Sequence, residues 1–173
     1  GVNTLWTATG TKLTPKTPVT LSWNNGTGQT FRIEYSIDEN YLITAKQTLA
    51  NTGAAPISAS SFALIDRAGK PTDPHEADSW TIHVGPTGYL DGKSVFDVDY
   101  DDVEEAANRS VRYTSAAWLG FTDKYWLAAI VPAKGERVTA AISSPSANAY
   151  QTIFARDYSP VAAGQQVTTT SRI

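Results

Sequence analysis

Carboxylates are the reactive side chains that this sequence concentrates most strongly. The stretch DVDYDDVEEA, residues 97 to 106, holds six acids and no base. Its first three aspartates fall at alternate positions, as the first ligands of an EF-hand calcium loop do. That loop needs a glycine at its sixth position and a glutamate at its twelfth, where this sequence has Asp102 and Asn108. An EF-hand is therefore excluded, which leaves a weaker calcium site or a solvated acidic edge.

A second segment with chemical potential is GYLDGKS, residues 88 to 94, which is similar to a phosphate-binding loop. That loop has four residues between its glycines and continues into a helix. Here three residues separate Gly88 from Gly92, and the VFDVDY that follows the Lys-Ser pair alternates like a strand. The short spacing removes the nest of backbone N–H groups that would bind phosphate, so the segment does not predict nucleotide binding.

Other catalytic groups are sparse. The absence of cysteine excludes disulfides, thiolate metal sites and cysteine nucleophiles, and the sequence has no Gly-x-Ser-x-Gly elbow. His75 and His83 are the two histidines, and nothing in the sequence indicates the third group that an acid–base site needs. The net charge of −3 gives no global field for nucleic acid. We expect no catalytic residue, no metal, no cofactor and no nucleic-acid partner.

Short strands are expected to position these residues. Residues 19 to 37 alternate in two runs around an Asn-Gly turn, which is a hairpin signature. Residues 85 to 93 are predicted as a turn or bulge and 102 to 108 as a short helix. Further strands are predicted at 41–50, 57–67, 79–84, 94–100, 110–122, 125–131, 137–143, 149–158 and from 166 onwards. About ten strands without a repeat predict an all-β, mostly antiparallel sandwich. No apolar run approaches the length of a membrane helix.

The most distinctive stretch is WLGFTDKYWLAAIVP, residues 118 to 132. A period of two around a tight turn at Asp123 and Lys124 makes both faces of this hairpin apolar. We therefore predict a hairpin buried on both sides between two packed layers, in preference to a platform that stacks a ligand. Gly120 is expected to make room for an aromatic ring or a bulge.

This stretch strongly resembles the signature of the large periplasmic domain of the YidC membrane-protein insertase family of Gram-negative bacteria. The residues that carry the resemblance, read as structural, are Trp118, Gly120, Asp123, Lys124, Tyr125 and Trp126. The strand pair within residues 13 to 44 and the Gly-Pro turn within residues 83 to 93 agree with the same family. The resemblance covers almost the whole chain in order.

The resemblance implies a β-supersandwich related to galactose-mutarotase-like folds. Such a domain stands in the periplasm between the first two transmembrane helices of the insertase, and insertion itself takes place in the membrane part. Residues 1–173 are expected to be one such domain, trimmed at both ends, without the transmembrane domain. The absence of methionine agrees with a processed or excised piece. Edge strands left unpaired are expected to permit a weak homodimer.

The function implied is that of a non-enzymatic scaffold and docking module. Its expected partners are the transmembrane part of the insertase, the SecDF complex of the Sec translocon, and nascent membrane proteins. We expect the docking face within residues 85 to 106, and its candidate residues are Tyr89, Asp91, Asp99, Asp101 and Asp102. The alternative is a sugar- or peptide-binding β-sandwich, because relatives of this fold bind sugars on aromatic-lined sheets. An epimerase is disfavoured by the spacing of the two histidines.

Overall fold

The structure is a computed structural model that describes residues 4–71 and 83–173. The chain divides into two compact units: residues 1–61 with 158–173 form the first unit, and residues 62–157 form the second. Nearly all regular structure in the described residues is antiparallel β-strand, which confirms the predicted fold class. That the two units act as a single domain stays a prediction.

The first unit contains a five-stranded run of antiparallel neighbours. In spatial order its strands are β1 (Thr7–Ala8), β2 (Val19–Asn24), β3 (Gln29–Ile37), β4 (Ile43–Asn51) and β15 (Gln166–Arg172). A separate pair is formed by β5 (Ile57–Ala59) and β14 (Ser159–Val161). The predicted hairpin is confirmed as β2 and β3. Because Trp23 pairs with Phe31, the apolar residues of both strands lie on one face, and these two rings stack at 5.1 Å.

The second unit is a sandwich of two four-stranded layers. One layer has the order β6 (Phe62–Ala68), β13 (Ala149–Arg156), β12 (Val138–Ser146) and β9 (Ser110–Tyr113). The other layer has the order β11 (Leu127–Pro132), β10 (Ala116–Thr122), β7 (Gly85–Leu90) and β8 (Lys93–Val95). Fully buried Leu90, Leu119 and Ile130 of the second layer pack with Ile142 and Phe154 of the first. The main core therefore lies between these layers.

A short helix, α1 (Tyr100–Glu105), covers one end of the second unit. It begins two residues before the predicted helix, because a capping box formed by Asp99 and Asp102 closes its first turn. Val103 anchors the helix in the core. A 3-10 turn at Ala107–Arg109 follows.

Several predicted boundaries are wrong. The segment predicted as a turn at 85–93 contains strand β7, and the strand predicted at 94–100 ends at Val95 because Asp99 caps α1. The strand predicted at 110–122 breaks after Tyr113, so that β9 and β10 belong to different layers. The sequence also failed to indicate β1 and β14. The predicted strand at 79–84 falls mainly outside the described residues, as His75 does.

Within the described part of the chain, no helix combines the length and apolarity required to cross a bilayer.

Candidate functional site

The signature stretch forms the hairpin β10–β11, whose strands approach each other unusually closely at one point. Gly120 pairs with Ala129, and a Cβ at Gly120 would lie 1.9 Å from the Ala128 carbonyl oxygen. The glycine therefore makes room for the backbone of β11. The prediction that it makes room for an aromatic ring is wrong. A β-bulge does occur in β10, but it lies before Gly120, between Ala116 and Trp118, where β10 pairs with β7.

The turn of this hairpin is exposed. The Asp123 N–H donates to the Trp126 carbonyl at 2.8 Å, which closes a turn wider than the predicted Asp123–Lys124 step. The side chains of Tyr125, Trp126 and Leu127 are 78%, 79% and 61% exposed. The prediction of a hairpin buried on both sides is thus wrong at this end, although Leu119, Phe121 and Ile130 are buried further along.

A polar cluster supports the turn from the second unit. The Arg67 guanidinium contacts the Asp123 carboxylate at 2.5 Å and lies 5.8 Å from the centre of the Tyr100 ring. The Tyr100 ring lies 4.5 Å from that of Tyr150 and stacks at 6.4 Å on Phe121. Burial raises the pKa of Tyr100 to about 12, so its phenol stays neutral. Sequence reasoning missed Arg67, whose only signal is an Asp-Arg pair near the end of an otherwise apolar strand.

A second polar group joins α1 to the sheet. The Tyr150 hydroxyl donates to Glu104 at 2.5 Å, and this bond is the main cause that lowers the pKa of the Glu104 carboxyl. Lys70 contacts Asp101 and lies 3.3 Å from Glu104. The hydrogen bond to Asp101 is the main cause that raises the pKa of Lys70. The Glu104 carboxylate is therefore ionised at neutral pH, and its contacts with Tyr150 and Lys70 fix the position of the helix.

Most of the predicted docking acids accept hydrogen bonds from backbone N–H groups of the same unit. Asp91 occupies the tight turn between β7 and β8, and its Oδ1 accepts the N–H groups of Thr114 and Ser115, both at 2.8 Å. The Thr114 hydroxyl contributes most to the lowered pKa of Asp91. Asp99 and Asp102 form the capping box, with both hydrogen bonds at 2.9 Å.

The other two docking candidates, Tyr89 and Asp101, are also exposed to solvent. The ring of Tyr89 is 42% exposed on β7, and the Asp101 side chain is 74% exposed although it contacts Lys70. Burial raises the pKa of Tyr113, and the charges of Asp97 and Asp91 raise it further. That residues 85 to 106 dock a partner stays a prediction.

The remaining candidates for chemistry have few partners. The described residues include no group of three or more His, Cys, Asp or Glu side chains placed to hold a metal ion. His83 Nδ1 lies 2.6 Å from the Thr122 hydroxyl, and the His83 ring meets Phe96 edge-on at 5.5 Å. Burial lowers the pKa of His83, so the imidazole is neutral at pH 7.

The first unit has an open depression of about 410 Å³ beside its edge strand β1. Its lining residues are Leu5, Thr7, Ser22, Trp23, Asn24 and Thr30. The Trp6 ring lies 6.2 Å from that of Trp23. An aromatic ring beside hydroxyl and amide groups is a surface on which a sugar or an extended peptide could rest.

Comparison with known proteins identifies the family. The family model of the YidC periplasmic domain matches residues 2–173. This chain belongs to that family. A membrane protein insertase YidC of Rhizobium etli is 42% identical over 170 residues, which are 96% of this chain and 28% of the relative. YidC of Paracoccus denitrificans is 38% identical over 180 residues, which are 99% of this chain and 28% of the relative. The chain thus spans less than a third of the length of these YidC relatives.

Solved structures show the same fold at low identity. A galactose mutarotase-like protein from Lactobacillus casei matches with a TM-score of 0.66 and 9% identity over 96% of this chain and 71% of its own. A putative aldose 1-epimerase from Escherichia coli matches with a TM-score of 0.61 and 9% identity over 96% of this chain and 67% of its own. These matches confirm the predicted mutarotase-like β-sandwich for this YidC periplasmic domain.

Proposed function

We propose that this chain is the non-catalytic periplasmic part of an inner-membrane protein insertase and serves as its scaffold and docking module. The observation that supports this most directly is the match of residues 2–173 to the YidC periplasmic domain. In this proposal the membrane-embedded part of the insertase tethers the chain to the inner membrane. Its further partners are the SecDF complex and emerging segments of nascent membrane proteins.

The docking face in this proposal is the acidic surface formed by the β7–β8 turn and the segment around α1. Its backbone is held by the Asp91 corner, in which the Asp91 carboxylate accepts the N–H groups of Thr114 and Ser115, and by the capping box of Asp99 and Asp102. A surface that is already ordered loses little conformational entropy on association. Its carboxylates complement a basic partner and speed the encounter at low salt.

The test neutralises two acids on this face whose carboxylates, unlike those of Asp91, Asp99 and Asp102, accept no hydrogen bond from a backbone N–H group in the described part of the chain. Asp97→Asn combined with Asp101→Asn removes two charges while the capping box and the Asp91 corner stay intact. We expect roughly 3- to 10-fold weaker association with purified SecDF at low salt and a flatter salt dependence. Glu39→Gln, an exposed acid in the first unit, is the matched control and should leave association unchanged. If the double variant binds as the original chain does, the docking surface lies elsewhere.

A second candidate function is the binding of a sugar or an extended peptide at the depression beside Trp23. The mutarotase-like fold supports it by analogy alone. Titration with oligosaccharides or extended peptides should then change the tryptophan fluorescence, and Trp23→Leu should abolish the change. A flat titration would contradict this function.

The weak homodimer also stays a proposal. The edge strands β1 and β8 are two and three residues long and offer little backbone for pairing with another chain, whereas the edge strand β6 has seven residues and offers more. Light scattering that shows only monomer at high concentration would contradict a dimer.

A further inference from the structure

An exposed apolar surface gathers where three strands of the second unit end. Thr122, the last residue of β10, pairs with Gly85 at the start of β7 and with Leu127 at the start of β11. The residues at this edge that expose more than half of their surface are Phe96, Tyr125, Trp126 and Leu127. We call these four residues the aromatic tip. Large apolar side chains exposed together mark an interaction surface more often than scattered ones do.

Contacts of Asp123 and Thr122 with residues of the second unit hold the backbone of the aromatic tip in place. The Asp123 carboxylate at the start of the turn binds Arg67, and the Thr122 hydroxyl contacts His83. His83 in turn packs against Phe96. Because these contacts fix the strand ends, the backbone of the tip is ordered and loses little entropy when a partner covers it.

We propose that the aromatic tip enters the headgroup layer of a phospholipid bilayer. The membrane setting rests on the proposed function, in which the chain is tethered to the inner membrane. Contact with lipid is nevertheless a property of this chain that goes beyond the docking of Sec components. Apart from Phe96, which directly precedes Asp97, the residues of the tip lie outside the acidic docking face.

The residue types of the tip suit the boundary between lipid and water. Tryptophan and tyrosine combine an apolar ring with a polar N–H or O–H, and they are enriched at both interfaces of membrane proteins. Lys124 lies 5.4 Å from the centre of the Tyr125 ring, where its ammonium can meet a lipid phosphate. The neighbouring acid, Asp123, is paired with Arg67, so it opposes this contact little.

The shape of the tip favours lipid over a second folded protein. Tyr125, Trp126 and Leu127 are consecutive around a tight turn, so their side chains project in different directions. A flat protein surface can cover only one of these directions at a time. Fluid lipid surrounds a convex turn from all sides and covers every ring at once. The membrane tether of the proposed function keeps the local concentration of lipid high, so even a weak contact is populated.

The experiment tethers the 173-residue chain through a C-terminal histidine tag to vesicles of brominated phosphatidylcholine that carry nickel-chelating lipid. Brominated chains quench tryptophan that enters the bilayer. We expect quenching of the original chain, and Trp126→Phe should remove it because Phe keeps the apolar contact but not the reporter. Tyr125→Ser with Leu127→Ser, which retains Trp126, should weaken lipid contact about tenfold.

The matched control carries Tyr41→Ser and Tyr158→Ser, which replace tyrosines 83% and 77% exposed in the first unit. It should be quenched as the original chain is. Unchanged circular dichroism and thermal midpoints verify that all variants fold.

Three results would overturn the proposal: no quenching of the original chain, quenching that persists in Trp126→Phe, or an equal loss in the control. If the original chain is not quenched and light scattering shows a dimer that Tyr125→Ser with Leu127→Ser abolishes, the tip belongs to an interface between two copies of the chain. The association of the same variants with SecDF is measured in parallel, which distinguishes failure of the lipid contact from failure of the proposed function.

Discussion

Gly120 lies where the backbone of β11 comes closer to β10 than a side chain allows. A Cβ there would lie 1.9 Å from the Ala128 carbonyl oxygen and 2.7 Å from the Ala129 Cα. Both atoms belong to backbone, so neither can rotate away as a flexible side chain would. The close approach brings Leu119 and Ile130 together as opposite residues of the hairpin in the core. One absent methyl group therefore sets the spacing of the signature hairpin.

At this scale we predict that Gly120→Ala destabilises the chain by about 2–3 kcal/mol, because the strands must separate to admit the methyl group. The free energy of unfolding from urea denaturation measures the change. Gly10→Ala is the control, since a Cβ at Gly10 meets no atom within 4 Å. It should alter stability by about 0.5 kcal/mol or less. Equal effects of the two substitutions would show that the close approach is not what the glycine serves.

At the scale of secondary-structure elements, the Asp91 carboxylate joins the β7–β8 turn to the break between β9 and β10. Asp91 and Gly92 both have positive φ, which gives the tight turn its hairpin twist. The Asp91 carboxylate accepts hydrogen bonds from the corner that passes the chain between the two layers. The Asp91 N–H also donates to the Ser115 carbonyl at 3.1 Å. This contact links the two layers of the sandwich at their connection.

These hydrogen bonds predict a dependence of stability on pH. They lower the pKa of Asp91 in the folded chain, so their stabilisation is fully present above the unfolded pKa of about 4 and is lost as pH falls through the folded value. Asp91→Asn keeps the shape but removes the charge. We expect its thermal midpoint to be lower than that of the original chain at pH 7. The two midpoints should converge at acidic pH. Parallel curves across this range would contradict the role of the charge.

At the scale of the whole molecule, the chain is 28% of the length of its insertase relatives. In the proposed docking role, this part of the protein should be separable from insertion itself. We predict that deleting the stretch matching residues 13 to 165 from the full-length Rhizobium etli relative leaves membrane-protein insertion near normal. Growth and insertion assays, with the expression level checked, measure the outcome. Lost insertion while the protein remains in the membrane would mean that the sandwich handles substrate directly.

The sequence by itself determined the fold class, the main hairpins and the family. Alternation with a period of two and an Asn-Gly turn are local signals, and the β2–β3 hairpin forms where they predict it. The signature stretch is specific enough to identify the family without any contact information. A short helix at the acidic segment was also predicted, although it begins two residues earlier, at Tyr100, because Asp99 and Asp102 cap its first turn.

Only the tertiary structure decided which apolar residues are covered and what the acids do. Alternation shows on which face of a strand a side chain lies, but not what packs against that face. Leu119 and Trp126 belong to the same apolar stretch, yet Leu119 is buried in the core and Trp126 is exposed at the turn. The partners of Asp91 and Asp123 lie 23 and 56 residues away in sequence. Such contacts depend on how the strands are arranged in space. No local pattern records that arrangement, because it arises only when distant segments pack together.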